Sequence, residues 1–312
     1  MIETLNPKSE VELEELLKVR NESNLLGLDV VAAWRIRAGM LEPGFQFGEH
    51  NILKYGGLQS GFIFMEQLKI LAKETPLVIK DDTGKICGSF LCATNLTSGT
   101  GVSKQESVLF GKNSEHVLNE DLICRNQEEQ ENRDKTLEIL KNGTLAYGAT
   151  VFVKKAMQRS GFGFDLKLRT YEHLVKQNKT WMFYRIFEIE GIYKTQNSEY
   201  ELVYKFDPTI QNVRNISMAK LPAVKPLGII PMYKRVTEMV DNIVTPEKTR
   251  TAVSKMLAIH PDAVDSYCVK INNMFFLLDL KATIEDSKKL HRGKEHICGI
   301  EREQESSSRS VC

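Results

Sequence analysis

Apolar residues along this chain recur with a spacing that changes from segment to segment, and each change marks an element. Ile2 to Leu5 alternates as a short strand, and Ser9 and Glu12 then stand at capping-box spacing before a helix expected over about Glu10 to Arg20. Val30 to Met40 and Phe62 to Ala72 both carry helical spacing, around a connection punctuated by Gly56, Gly57 and Gly61. Pro76 to Lys80 and Lys85 to Thr94 are apolar runs joined by Asp81-Asp82-Thr83-Gly84, the signature of a β-hairpin. The polar stretch from Asn95 to Gly143 is too long for an ordinary connection, so it is expected to be an inserted substructure or an arm able to serve as a lid. Thr144 to Val153 is rich in β-branched residues and reads as a strand. After a glycine turn, Phe164, Leu168, Tyr171 and Val175 return at helical spacing up to Asn178. Trp181 to Ile189 is a strongly aromatic strand, and Glu201 to Phe206 is either another strand or the end of a short helix.

From Asp207 the character changes. Pro208, Pro222, Pro226 and Pro231 suggest a connecting stretch, followed by helices at Tyr233 to Ile243 and Pro246 to Ile259, a strand at Tyr267 to Leu280 and a helix from Lys281 to Leu290. The expected organisation is a mixed-sheet α/β (α+β) domain over 1–206 with an insertion at 95–143. A smaller C-terminal α+β unit over 207–290 follows, then a polar tail at 291–312 of disorder-prone composition.

Composition narrows the function. The 312 residues are 42% hydrophobic and 27% charged, which lies in the globular range. Net charge is +1, from 42 basic and 41 acidic residues, so no global field gathers nucleic acid or a membrane surface. Neither a signal peptide nor a membrane span is legible, and a cytoplasmic setting is the expectation. Six cysteines lack a CxxC pair, and six histidines lack HxxxH spacing. No metal is expected, and His291, His296 and Cys298 read as part of a solvated tail. Neither a serine-hydrolase elbow nor a P-loop is present.

The chemistry concentrates after the Thr144 strand. The chain runs from Val153 through Lys154 and Lys155 to Gln158-Arg159-Ser160-Gly161-Phe162-Gly163, and a helix opens at about Gly161. The first turn of such a helix has unpaired N–H groups and a partial positive charge, and glycines let phosphate oxygens approach its backbone. Lys154, Lys155 and Arg159 add positive charge beside it.

These residues resemble the main motif of the GNAT superfamily of acyl-CoA-dependent N-acyltransferases. Val153, Gln158, Gly161, Gly163 and Leu166 match in register, and the order of elements from Ile2 to Val153 is similar to the family's opening. The resemblance covers roughly Ile2 to Phe206. It implies that acetyl-CoA or another acyl-CoA lies in a gap between two splayed strands. The backbone of Val151, Phe152 and Val153 would pair with the pantetheine arm, and Gln158, Arg159, Ser160, Gly161, Phe162 and Gly163 would hold the pyrophosphate. An amine-bearing acceptor, small molecule or protein, would attack the thioester directly. By the same resemblance Tyr204 is the first candidate proton donor and Tyr184 the second. Glu188 and Glu190 alternate on one strand face and could serve as a base or as an anchor for the acceptor amine. Two features depart from the pattern. Asp165 stands in the first helical turn, where a carboxylate repels phosphate. Asn197 and Tyr204 hold the spacing of the family's closing segment, but Lys205-Phe206-Asp207 follow without its glycine. The alternative reading is a non-catalytic GNAT-like module that binds CoA or engages a protein.

Overall fold

The computed structural model describes residues 1–26, 39–40, 65–154, 157, 161–206, 223–238 and 244–288. In chain order these form β1 (Ile2–Thr4), α1 (Glu10–Leu26), α2 (Met65–Ala72), β2 (Leu77–Lys80), β3 (Ile86–Ala93), α3 (Lys104–Phe110) and α4 (Gln127–Lys141). There follow β4 (Leu145–Val153), α5 (Phe162–Lys176), β5 (Trp181–Gln196), β6 (Glu199–Lys205), β7 (Val224–Arg235), α6 (Pro246–Leu257), β8 (Tyr267–Asp279) and a closing helix α7 over 280–288. The described strands make one mixed sheet in the order β1-β2-β3-β4-β5-β8-β7, with β6 added on β5. All pairings are antiparallel except β4 with β5.

Strand alternation sends side chains to two helical layers. On one face Leu13, Leu16 and Val19 of α1, Leu68 and Leu71 of α2, and Ile139 and Leu140 of α4 bury against Leu91, Tyr147, Phe183, Phe275 and Leu277. Farther along that face Val253 of α6 packs with Ile189, Ile192, Val269 and Ile271. On the other face Leu166, Tyr171 and Leu174 of α5 meet Phe90, Cys92, Met182, Tyr184 and Phe276. Burial on this scale is the main source of stability for a sheet sandwiched by amphipathic helices.

Several expectations are corrected. Tyr233 to Ile243 is not a helix: β7 runs to Arg235 and a short 3-10 turn, Val236–Glu238, follows, while 239–243 lie outside the described residues. Pro226 and Pro231 sit inside β7, which tolerates them because it is the sheet's last strand and pairs with β8 on one side. The segment at Glu201 resolves as strand, and β5 continues to Gln196, well beyond Ile189. At α1 the Glu12 N–H donates to Ser9 Oγ at 3.3 Å, but the Glu12 carboxylate accepts from the Asn6 N–H at 2.7 Å instead of closing the box. The division at 206/207 cuts across one sheet, since β8 pairs with β5 from Trp181 to Lys194. The predicted helix at Val30 to Met40 and the 291–312 tail fall almost wholly outside the described residues.

The insertion is a packed substructure and not a lid. Val117, Leu118, Leu122, Ile139 and Leu140 contribute to the core, and Asn132 Nδ2 donates to the Pro226 carbonyl at 2.9 Å. Its α3 end is organised around the fully buried Glu106, whose carboxylate accepts from the Thr97, Ser103 and Ser114 N–H groups and the Thr97 hydroxyl. Burial pushes this carboxyl up, but the donated bonds outweigh it and hold it below the ordinary 4.5. A depressed folded value contributes stability above pH 4.5 that is lost as pH falls through it. We therefore expect Glu106→Gln to flatten the acid limb of the stability curve in urea unfolding. Glu106→Ala should cost about 3 kcal/mol or more, because each bond to a buried charge is worth roughly 1.5–3 kcal/mol.

Candidate functional site

β3 stays paired with β4 along its length, as far as Val153 opposite Gly88. β5 does not: its parallel pairing with β4 covers only Leu145 to Gly148, opposite Trp181 to Tyr184. The parting has a local cause. Gly148 and Thr150 face consecutive residues of β3, Cys92 and Leu91, so Ala149 is an extra residue on β4, a bulge that bends the strand and changes which way the following side chains point. Gly148 also lets β5 come close, since a Cβ there would stand 3.1 Å from Met182 Sδ and 3.3 Å from Tyr184 Cβ.

Beyond the bulge the two strands diverge. β8 occupies one edge of β5, while β6 takes the opposite edge from Gly191 to Gln196. Phe206 extends the β6 side by one residue, its N–H donating to the Glu190 carbonyl at 3.0 Å, so among the described residues 185–189 have no strand on that edge, a stretch of roughly 16 Å at the usual rise per residue. A gap with one strand on each side, closed at Tyr184 and bounded by the β6 hairpin, is the result.

The far end of β4 leads to the glycine turn. The Lys154 N–H donates to the Cys87 carbonyl at 2.7 Å, which keeps the chain on β3 for one more residue, and the Met157 N–H closes a turn onto Lys154 at 2.9 Å. Gln158, Arg159 and Ser160, named from the motif, lie outside the described residues, as do Lys155 and Ala156. Gly161 is the N-cap of α5 with φ +87°, a left-handed conformation that glycine adopts without strain, and among the described residues no side chain caps the helix. Gly161 is exposed, and a Cβ on it would meet nothing within 4 Å. The Phe164 and Asp165 N–H groups turn back to the Gly161 carbonyl, so Phe162 and Gly163 supply the outward donors of the first turn. Val153 Cγ2 lies 3.6 Å from where a Gly163 Cβ would sit, which fixes the helix start against the end of β4. On the opposite face the Arg20 guanidinium sits 5.9 Å over the Phe152 ring and adds positive charge near the same strand end. Val151 is exposed, Phe152 is buried among α1-side residues, and Val153 packs on the α5 side.

Tyr184 and Tyr204 are not brought together. Tyr184 is the last β5 residue paired with β4, so it marks the closed end of the gap. Its ring stacks on Phe276 at 5.7 Å, it is 7% exposed, and its hydroxyl is buried with no hydrogen-bond partner among the described residues. Burial pushes the phenol up, so it stays protonated at neutral pH. Tyr204 lies on β6 opposite Ile192, eight residues farther along β5, or roughly 26 Å from Tyr184 along the strand. The Asn197–Tyr204 spacing belongs to a hairpin, since Asn197 (φ 52°) and Ser198 (φ 67°) form its two-residue turn.

Glu188 and Glu190 share the α5-side face, as their alternation suggested. Glu190 is bound up in a network: Lys270 Nζ lies 2.7 Å and Asn272 Nδ2 2.8 Å from its Oε2, and the Tyr193 hydroxyl donates to Oε1. Burial pushes this carboxyl up, but those bonds outweigh it and hold it below the ordinary carboxylate value. Lys270, Tyr193 and Asn272 were missed from sequence, although Asn272-Asn273 does interrupt an otherwise apolar strand. Among the described residues no group of three or more His, Cys, Asp or Glu could hold a metal ion, and no helix is long and apolar enough to cross a membrane.

The mixed sheet and the gap between two splayed strands, β4 and β5, are the arrangement the motif led us to expect. No family model and no curated protein matches the sequence. Solved structures do align. Arylalkylamine N-acetyltransferase 2 from Aedes aegypti is 12% identical, with 90% of this chain and 98% of that chain covered and a TM-score of 0.35. An aminoglycoside 6'-N-acetyltransferase complexed with coenzyme A is 8% identical over 90% and 97%, with a TM-score of 0.36. A tandem GNAT protein from the clavulanic acid biosynthesis pathway is 9% identical over 90% and 98%, with a TM-score of 0.37. Similarity this low carries no correspondence of site residues.

Proposed function

We propose that the protein is an acyl-CoA-dependent N-acyltransferase that moves an acyl group, most simply acetyl, to a primary amine. One observation carries the reading: the gap beside β4 opens at Tyr184, and the same strand leads at its other end to the bare N-terminus of α5. A diphosphate seated on the Phe162 and Gly163 amides would send the pantetheine arm back along Val151 to Val153, with the thioester at the closed end. Gln158, Arg159 and Ser160 complete the phosphate seat in this reading.

The amine nitrogen attacks the thioester carbon, the C–S bond breaks and the thiolate leaves. Tyr184 is the proton donor we favour over Tyr204. Tyr184 is the residue at the closed end of the gap, where this reading puts the thioester, whereas Tyr204 lies eight residues farther along β5, toward the phosphate end. The proton lost by the amine returns through water to the phenol, so the net transfer runs from nitrogen to sulfur. Asp165 does not oppose the phosphate in this scheme if its carboxylate points away from the turn, as a partly buried first-turn acid can. A cytoplasmic setting suits a CoA ester as donor.

Calorimetry with acetyl-CoA tests occupancy, and release of free thiol with a panel of amines tests turnover. Micromolar binding and amine-dependent thiol release are expected. Binding without thiol release would favour the non-catalytic CoA-binding module instead, and no binding would remove both readings.

A further inference from the structure

The reading above leaves the acceptor open, and the α5-side face of β5 and β8 alongside the gap, between its closed end at Tyr184 and the β6 hairpin, bears on it. Sheet faces between packed helices are apolar, and this one is so at Tyr184, Ile186, Met274 and Phe276. It then turns polar at Glu188, Glu190, Lys270 and Asn272, in the middle of the sheet, where among the described residues the edge of β5 is uncovered as far as Ile189 and β6 begins. Polar groups are retained in such places when they have a task.

The hydrogen bonds say what is missing. Glu190 has donors on both oxygens, from Tyr193, Lys270 and Asn272. Asn272 spends its amide nitrogen on Glu190, yet its Oδ1 is buried with no donor among the described residues, in a residue 5% exposed. Glu188 stands directly across the ladder from Asn272, so the two side chains share a face with Cβ atoms about 5 Å apart. Arg125, whose field reaches Glu188, is itself held by Glu129 through Nε and Nη2. Glu188, Glu190 and Lys270 together carry one net negative charge. A group that donates hydrogen bonds and brings one positive charge satisfies both Asn272 Oδ1 and Glu188.

We propose that Glu188 and Asn272, braced by Glu190, seat an ammonium group, so that the acceptor is an amine carrying a second positive charge. This rests on the acyl-transfer reading for the reacting end only. Glu188 is four residues from Tyr184, roughly 13 Å along the strand, a span that an extended diamine of about eight carbons bridges.

The test uses the full chain with diaminooctane, octylamine and the uncharged octanediol. By calorimetry diaminooctane should bind about ten-fold or more tighter than octanediol, and Glu188→Gln should remove most of that difference. In turnover, kcat/KM for diaminooctane should exceed that for octylamine about ten-fold, and the ratio of the two should fall to near one in Glu188→Gln. Glu188 is partly exposed, so its variant should fold, and far-UV circular dichroism with a thermal melt checks this. Diaminooctane and octanediol binding alike, or an affinity that Glu188→Gln leaves unchanged, would overturn the seat. If coenzyme and diaminooctane both bind with the expected dependence on Glu188 and no amine releases thiol, the seat stands and the acyl-transfer reading falls.

Discussion

Gly163→Glu is expected to weaken acetyl-CoA binding about 100-fold or more, a loss of ~2.7 kcal/mol, with the melting temperature little changed. The residue is the second of α5, its amide is one of the two outward donors, and a Cβ there makes only ordinary contact with Val153. The backbone therefore accepts the side chain, while the added carboxylate brings bulk and negative charge to the phosphate seat. Gly163→Ala supplies the control and should bind nearly as well as the natural protein. Gly161 is a less clean position, because its φ of +87° strains any L-residue and folding would suffer along with binding. Calorimetry on both Gly163 variants decides the matter, and an unchanged Kd in Gly163→Glu would remove the phosphate seat from this turn.

Tyr184→Phe should move activity and stability in opposite directions. Removing a proton donor to the leaving thiolate is expected to lower kcat by about 100-fold or more with little change in KM. Removing a buried hydroxyl that makes no hydrogen bond should raise stability by about 1 kcal/mol, since the folded state no longer carries its desolvation cost. Structural damage would lower both quantities, so the split between them distinguishes chemistry from packing. Tyr204→Phe, on an exposed part of β6, should leave kcat within about two-fold. A slow Tyr204→Phe beside a normal Tyr184→Phe would reverse the assignment.

The parts of the fold that could be read from residues are those whose information is local. Ser9, the Asp81 to Gly84 turn, the β-branched run ending at Val153 and the glycines at 161 and 163 each set their own backbone, and the elements stand where those residues put them. Strand β7 could not be read that way. Pro226 and Pro231 argue locally against a strand, and only its place at the end of the sheet makes them harmless. The insertion was visible as a length but not as a structure, because Glu106 looks like any surface acid until three N–H groups from separate turns converge on it.

The site divides along the same line. The glycine turn proposed as the phosphate seat is a contiguous stretch whose helix start could be read from its residues, whereas the preference for Tyr184 over Tyr204 depends on which residue stands beside the bulge at Ala149. A bulge is a mismatch of count between two strands, and neither β3 nor β4 records it alone. Asn272 likewise carries meaning only once it stands opposite Glu188, which lies on a strand far away in sequence.

The pairing of β5 with β8 has a consequence for biosynthesis. As the chain leaves the ribosome, β4, the glycine turn and β5 emerge several seconds before β8 at ordinary elongation rates, so half of the gap must wait for its flank. During that interval the aromatic residues Trp181 to Phe187 are exposed as an incomplete sheet edge, which is the kind of surface that holding chaperones cover. The turn proposed to hold the coenzyme is thus assembled early, and the strand that backs the β5 side of the gap arrives late.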